Sequence, residues 1–74
     1  MNRYSISLHG HRTSVSLEPE FWAVLKELAA KDGRSVAGLV QQIDDQRITR
    51  GTEGGLSSAL RVHVLKALQA QGRL

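Results

Sequence analysis

Between His11 and Trp22 the chain changes its hydrophobic period within one dipeptide, and that switch restricts the fold more than any other feature. In RTSVSL, residues 12–17, polar and apolar side chains alternate, which is the period of a strand with one buried face. Arg12, Ser14 and Ser16 fall on one face, and Thr13, Val15 and Leu17 on the other. Glu18-Pro19 then ends the strand, because proline cannot donate to a ladder but fits the first turn of a helix. Phe21, Leu25, Leu28 and Ala29 come next at helical spacing, flanked by Trp22 and Val24.

This first helix is expected over residues 19–31, with Asp32-Gly33 as its stop and Gly33 in the C′ position. Ser35 is a good N-cap for a second helix, whose apolar face is Val36, Leu39, Val40 and Ile43. Asp44 and Asp45 sit poorly at a helix C-terminus, where the dipole favours cations, so the helix is expected to continue to about residue 47. TRGTEGG reads as a linker within residues 48–55. A third helix begins near Leu56 with the stripe Leu56, Leu60, Val64 and Leu68, which Val62 and Leu65 widen. So broad a stripe predicts two packing neighbours, one of them in another chain. The closing QGRL is expected to fray.

Ahead of the strand, RYSISL also alternates, and Gly10 separates it from RTSVSL. SISL and SVSL echo each other, but one such echo is too short to count as a repeat. The segment is compatible with a local hairpin, although an arm or short strand is the preferred description. The organisation is therefore an N-terminal arm or short strand over 1–11, a strand-helix-helix core over 12–47, a linker over 48–55 and a C-terminal helix over 56–74.

Seventy-four residues make one domain with a small core, for which the usual supports are disulfides, a metal or oligomerisation. The chain has no cysteine, which removes disulfides and thiolate metal sites and leaves oligomerisation. Its apolar runs are too short to span a membrane, and a soluble cytoplasmic protein is expected, with no membrane partner. The net charge of +3 is unevenly placed: no acid precedes Glu18, whereas Arg3, His9, His11 and Arg12 do. A basic N-terminal strand suits an anionic partner, although charge alone is equally accounted for by solubility.

No spacing ties the serines, histidines and acids into a catalytic site, so no enzyme and no cofactor are expected. His9 and His11 flank Gly10 at a spacing found in metal sites, yet no cysteine or carboxylate accompanies them, and turn or phosphate-contact roles are preferred; no metal is expected. His63 is expected at solvent or at an interface. Trp22 belongs to no aromatic ladder and is assigned to a core or interface rather than to base stacking.

A lone strand leaves unpaired edges, and a C₂ twin supplies a partner through one antiparallel pair. The strand's second member is accordingly expected from another copy of the chain. Thr13, Val15 and Leu17 then face a shared core, and Arg12, Ser14 and Ser16 of both copies project together. A two-stranded ribbon fits the DNA major groove, where arginine suits guanine and serine serves several bases or phosphates.

RTSVSLEPEFWAVLKELAAKDGRSVAGLV, residues 12–40, resembles the ribbon-helix-helix DNA-binding proteins of bacteria and their phages. The resemblance lies in the alternating strand, the Ala29-to-Gly33 helix end and the GRS that leads into the second helix. With HGHRTS before it and LSSALR after it, the chain is most similar to a bacterial branch of that family with an added C-terminal helix. The resemblance implies an α+β, mostly helical fold: an intertwined homodimer with a two-stranded antiparallel ribbon and an additional third helix. It implies that Arg12, Ser14 and Ser16 read base edges and that Arg34, Ser35 and Val36 hold a DNA phosphate, a role that free helix N-terminal amides also favour. It further implies that Val15, Leu17, Leu25, Leu28, Leu39, Val40 and Ile43 form the dimer core. The expected function is sequence-specific transcriptional regulation, with repression as its expected sense, double-stranded DNA as partner and a homodimer or higher oligomer as the unit. The rival is a protein-interaction or antitoxin-like adaptor module that binds a partner protein through the stripe over residues 56–68.

Overall fold

The computed structural model of the chain describes residues 1–50, the last by its backbone alone, and residues 55–74. Among the described residues five elements succeed one another: β1 (Asn2–Leu8), β2 (His11–Leu17), α1 (Pro19–Lys31), α2 (Val36–Arg50) and α3 (Leu56–Ala70). Of the linker expected over 48–55, residues 51–54 lie outside the described residues, residues 48–50 belong to α2 and Gly55 is the N-cap position of α3.

The partner of β2 is β1 of the same chain. The two pair antiparallel in the register Arg3↔Ser16, Ser5↔Ser14 and Ser7↔Arg12, closing at Leu8↔His11. Of the arm or short strand expected for residues 1–11, the segment is a strand, and the expected second strand from a twin copy is corrected to one from the same chain. The physical reason is the loop His9-Gly10, where φ is 52° and 78°. Two successive positive φ values are what a type I′ hairpin turn requires, and its twist matches that of the flanking strands. Glycine takes such a conformation without steric cost, and histidine is among the side chains enriched there.

Pro19 occupies the first turn of α1, preceded by Glu18 in extended conformation. Gly33, at φ 68°, ends the helix as expected. The Arg34 amide donates to the Ala29 carbonyl (3.0 Å) and the Gly33 amide to that of Ala30 (3.1 Å), the bond pair of a Schellman closure. The end of α3 is built alike, with Arg73 N–H on Leu68 O (2.9 Å), Gly72 N–H on Gln69 O (3.1 Å) and Gly72 at φ 71°. The terminal QGRL therefore closes α3 instead of fraying, and Arg73 secures it to α1 by an ion pair with Glu27 at 2.7 Å.

β1 lies along α2 and β2 along α3, while α1 packs against both helices. Ile6, Leu8, Val15, Leu17, Leu25, Leu28, Ala29, Leu39, Val40, Ile43, Leu60 and Val64 make one core. At its margin Tyr4 stacks on Trp22 with ring centroids 4.2 Å apart and planes 7° from parallel, joining β1 to α1. Ser57 Oγ donates to the Ser16 carbonyl (2.7 Å), and Arg61 Nε to a Glu18 carboxylate oxygen (2.9 Å), so α3 is stitched to the strand-helix junction. That guanidinium, first through its hydrogen bond, holds the Glu18 carboxyl below its ordinary pKa.

Candidate nucleic-acid interface

The period of β2 carries through into space. Val15 and Leu17 are buried and Thr13 is half-buried, whereas Arg12 and Ser14 are exposed and Ser16 is half-buried beside α3. On β1, Ile6 and Leu8 are buried, Tyr4 is half-buried, and Arg3, Ser5 and Ser7 are exposed. The outer face of the ribbon is thus made of six side chains from both strands, in the cross-strand pairs Arg3–Ser16, Ser5–Ser14 and Ser7–Arg12. Among the described residues neither arginine makes a hydrogen bond or an ion pair, and no acid occurs in either strand. Sequence reasoning found Arg12, Ser14 and Ser16 but left out Arg3, Ser5 and Ser7; the signal available for them was the alternation of RYSISL.

The ribbon tip is anchored to the middle of α2. The His9 amide donates to Gln41 Oε1 (3.2 Å), and the His9 imidazole lies 3.1 Å from Asp45 and 3.5 Å from Asp44. Asp44 is buried and accepts from Arg47 at 2.7 Å, so this acid, unfavourable near a helix end by dipole alone, has its charge met by a neighbour. His9 is therefore engaged with carboxylates, and among the described residues no group of three or more histidines and acids is placed to hold a metal ion.

At the start of α2, Ser35 Oγ accepts the Gly38 amide at 3.0 Å, the N-cap bond expected of it. The Val36 and Ala37 amides, at the first two positions, have no acceptor within the helix. Arg34 and Ser35 are exposed, Val36 is half-buried, and the Arg34 guanidinium donates to the Gln42 side chain. No hydrogen bond or ion pair joins this helix end to the outer ribbon face among the described residues.

Val15, Leu17, Leu25, Leu28, Leu39, Val40 and Ile43 are all buried within one chain. On α3, Leu60 and Val64 are buried, Leu56 and Leu68 are partly buried against the core, and Val62 and Leu65 are exposed. His63 is half-buried; desolvation lowers its pKa, against the opposing charge of Asp32. No helix among the described residues is long and apolar enough to cross a membrane.

A two-stranded antiparallel ribbon followed by two helices defines a class of small protein that presents strand side chains to a partner. A family model described as a ribbon-helix-helix domain matches residues 1–68, and the chain belongs to that family. It is a family of DNA-binding regulators, typically non-enzymatic, whose members generally bind DNA as dimers. The solved structure of an uncharacterized protein from Bordetella pertussis Tohama I is similar, with a TM-score of 0.75 and 43% sequence identity. The match covers 99% of this chain and 61% of that one, so the chain spans about three fifths of that protein's length. No curated protein matches.

Proposed function

We propose that this protein is a sequence-specific DNA-binding regulator that acts as a repressor by inserting its ribbon into the major groove of its operator. The observation that carries this reading is the outer ribbon face: two arginines and four serines, without an acid and, among the described residues, without a partner for either arginine. Arg12, Ser14 and Ser16 contact base edges. Arg34, Ser35 and Val36 hold a backbone phosphate at the start of α2, where free amides and the helix dipole favour an anion. The working unit is a cytoplasmic homodimer, each copy placing its ribbon on one half-site.

The test is to mix the full chain with sheared DNA from its own genome at roughly 150 mM salt, where non-specific binding is weak, and to sequence the retained fragments. The expected result is a few enriched sites that share a short motif, with Arg12→Ala lowering affinity and making its salt dependence shallower. Uniform retention, or unchanged affinity of the Arg12 variant, sinks the reading.

One observation favours a second role, that of a protein-interaction module. Val62, Leu65 and Leu74 are exposed around an apolar groove that Phe21 and Leu68 also line. Because α3 delivers Leu60 and Val64 to the core, deleting it tests folding and not this surface. Val62→Lys with Leu65→Lys leaves the core intact, and loss of self-association or of a captured partner by that variant measures the role directly.

A further inference from the structure

The two strands carry the same outward residues in the same order. RYSISL (residues 3–8) and RTSVSL (residues 12–17) agree at Arg, both Ser and Leu, nine positions apart. The hairpin register converts this agreement into symmetry. Exchanging residue 3 with 12, 5 with 14 and 7 with 16 turns the pair Arg3↔Ser16 into Arg12↔Ser7, and returns Ser5↔Ser14 to itself. Both resulting pairs are those observed. A local two-fold axis therefore passes through the midpoint of the Ser5–Ser14 pair, perpendicular to the ribbon. A two-residue slip in pairing would move it to the Ile6–Val15 pair, whose side chains face the core.

The inward positions obey the same exchange in register but only partly in residue type, since Leu8 corresponds to Leu17 while the others differ. Tyr4 corresponds to Thr13, and Ile6 to Val15. An asymmetric core demands that difference: Tyr4 stacks on Trp22, and α1 offers no second tryptophan to Thr13. The outward arginines and serines meet no such demand, since neither arginine has a partner among the described residues. The residue types coincide at every outward pair, whereas on the inward face they coincide only at Leu8 and Leu17 and differ most at Tyr4 and Thr13.

Resting on the DNA-binding reading above, we infer that the ribbon of a single chain recognises a short self-complementary DNA element, with Arg3 and Arg12 making equivalent contacts on its two strands. Duplex DNA of inverted-repeat sequence has a two-fold axis perpendicular to the helix, so a symmetric ribbon seated in the major groove meets the same donors and acceptors from either side. Arginine pairs bidentately with guanine O6 and N7. The two arginines lie at opposite corners of the face, Arg3 across from Ser16 and Arg12 across from Ser7, as two guanines on opposite strands require. Arg3, Ser5 and Ser7 thereby become specificity residues of equal standing with Arg12, Ser14 and Ser16. A ribbon assembled from the β2 strands of two copies would use only the second set.

The experiment selects duplexes from a random-sequence pool with the full chain, then measures affinity of the wild type, Arg3→Ala and Arg12→Ala on the selected site at fixed salt. Circular dichroism verifies that each variant is folded. A self-complementary core is expected, with each substitution weakening binding about ten- to a hundredfold and by comparable factors. Changing the guanine in one half of the site should cost the wild type as much as losing one arginine, and should cost either variant little more. If Arg12→Ala weakens binding and Arg3→Ala does not, or if the selected core is asymmetric, the inference is overturned while DNA recognition by β2 stands. If neither substitution matters on DNA that the protein selects, the DNA-reading face itself is misassigned and both readings fall.

Discussion

The outer face of the ribbon and the outer face of α3 are both exposed, yet they are left exposed for opposite reasons. On the ribbon, the exposed positions are polar and the buried ones apolar, so the fold is complete without the outward side chains. On α3, the apolar stripe is wider than the core can cover: Leu60 and Val64 are enclosed, while Val62 and Leu65, two and one positions from them, are not. A polar face whose arginines have no partners among the described residues offers hydrogen bonds and charge, which is what a nucleic acid presents in return. An uncovered apolar face offers only area, which suits another protein surface. The contrast separates the face proposed to read DNA from the face proposed for assembly within one small chain.

The largest effect that would break this contrast is one in which the free face proves structural. Leu60→Ala should destabilise the protein by about 2–5 kcal/mol, because a fully buried leucine leaves a cavity in the core. Arg3→Ala and Arg12→Ala should change stability by no more than about 0.5 kcal/mol, as substitutions of exposed surface residues do. Denaturant unfolding of the three variants decides the matter. An arginine variant that unfolds as readily as the leucine variant would mean that the outer ribbon face is held by the fold and is not available for reading.

Ser35 lies between the two cases, since it serves the fold as a cap and is also proposed to face a phosphate. Ser35→Ala should cost about 1 kcal/mol of stability. Measured where both proteins are fully folded, the variant should still bind DNA more weakly than the wild type by a factor that does not depend on sequence. A loss of stability with unaltered DNA affinity would reduce Ser35 to a cap alone.

Much of the fold was legible in the sequence, for physical reasons that differ by element. The change of period at Glu18-Pro19, the glycine at the C′ position of α1 and the Ser35 cap are local signals, each decided within a few residues, and each appears where expected. The face of β2 was legible because alternation alone assigns it. The partner of β2 was not, because pairing is non-local and the turn that enforces it is His-Gly, a weaker hairpin signal than Asn-Gly or Asp-Gly. Without that turn, the echo of SISL in SVSL had no register to give it meaning. The run of α2 beyond residue 47 was hidden because Thr49 and Arg50 open the glycine-rich stretch TRGTEGG, which reads as a linker from sequence alone. The closure of α3 by Gly72 and Arg73 was not legible either, because a glycine so near the last residue does not distinguish a closed helix end from a frayed one.

The smallest effect concerns pH and bears on α3 rather than on the ribbon. Burial lowers the pKa of His63 from its ordinary value near 6.5, so the unfolded chain binds the proton more readily than the folded one. Stability is therefore unaffected by this group above about pH 6.5, falls as the pH drops from there toward the depressed folded value, and levels off below it. Glu18 acts in the same direction over a separate range. Its carboxyl is lowered from an ordinary value near 4.5 by Arg61, so the stability it contributes is present above that value and is lost as acid carries the pH down through the folded value. Thermal unfolding between pH 7 and 5 should thus reveal mainly the histidine, and His63→Gln should flatten that part of the profile while leaving the drop at lower pH in place. Because neither group touches the outer ribbon face, DNA affinity per folded molecule should not track the His63 profile. If it did, α3 and the ribbon would be coupled, and the division between a reading surface and an assembly surface would have to be redrawn around the Ser57–Ser16 hydrogen bond that joins them.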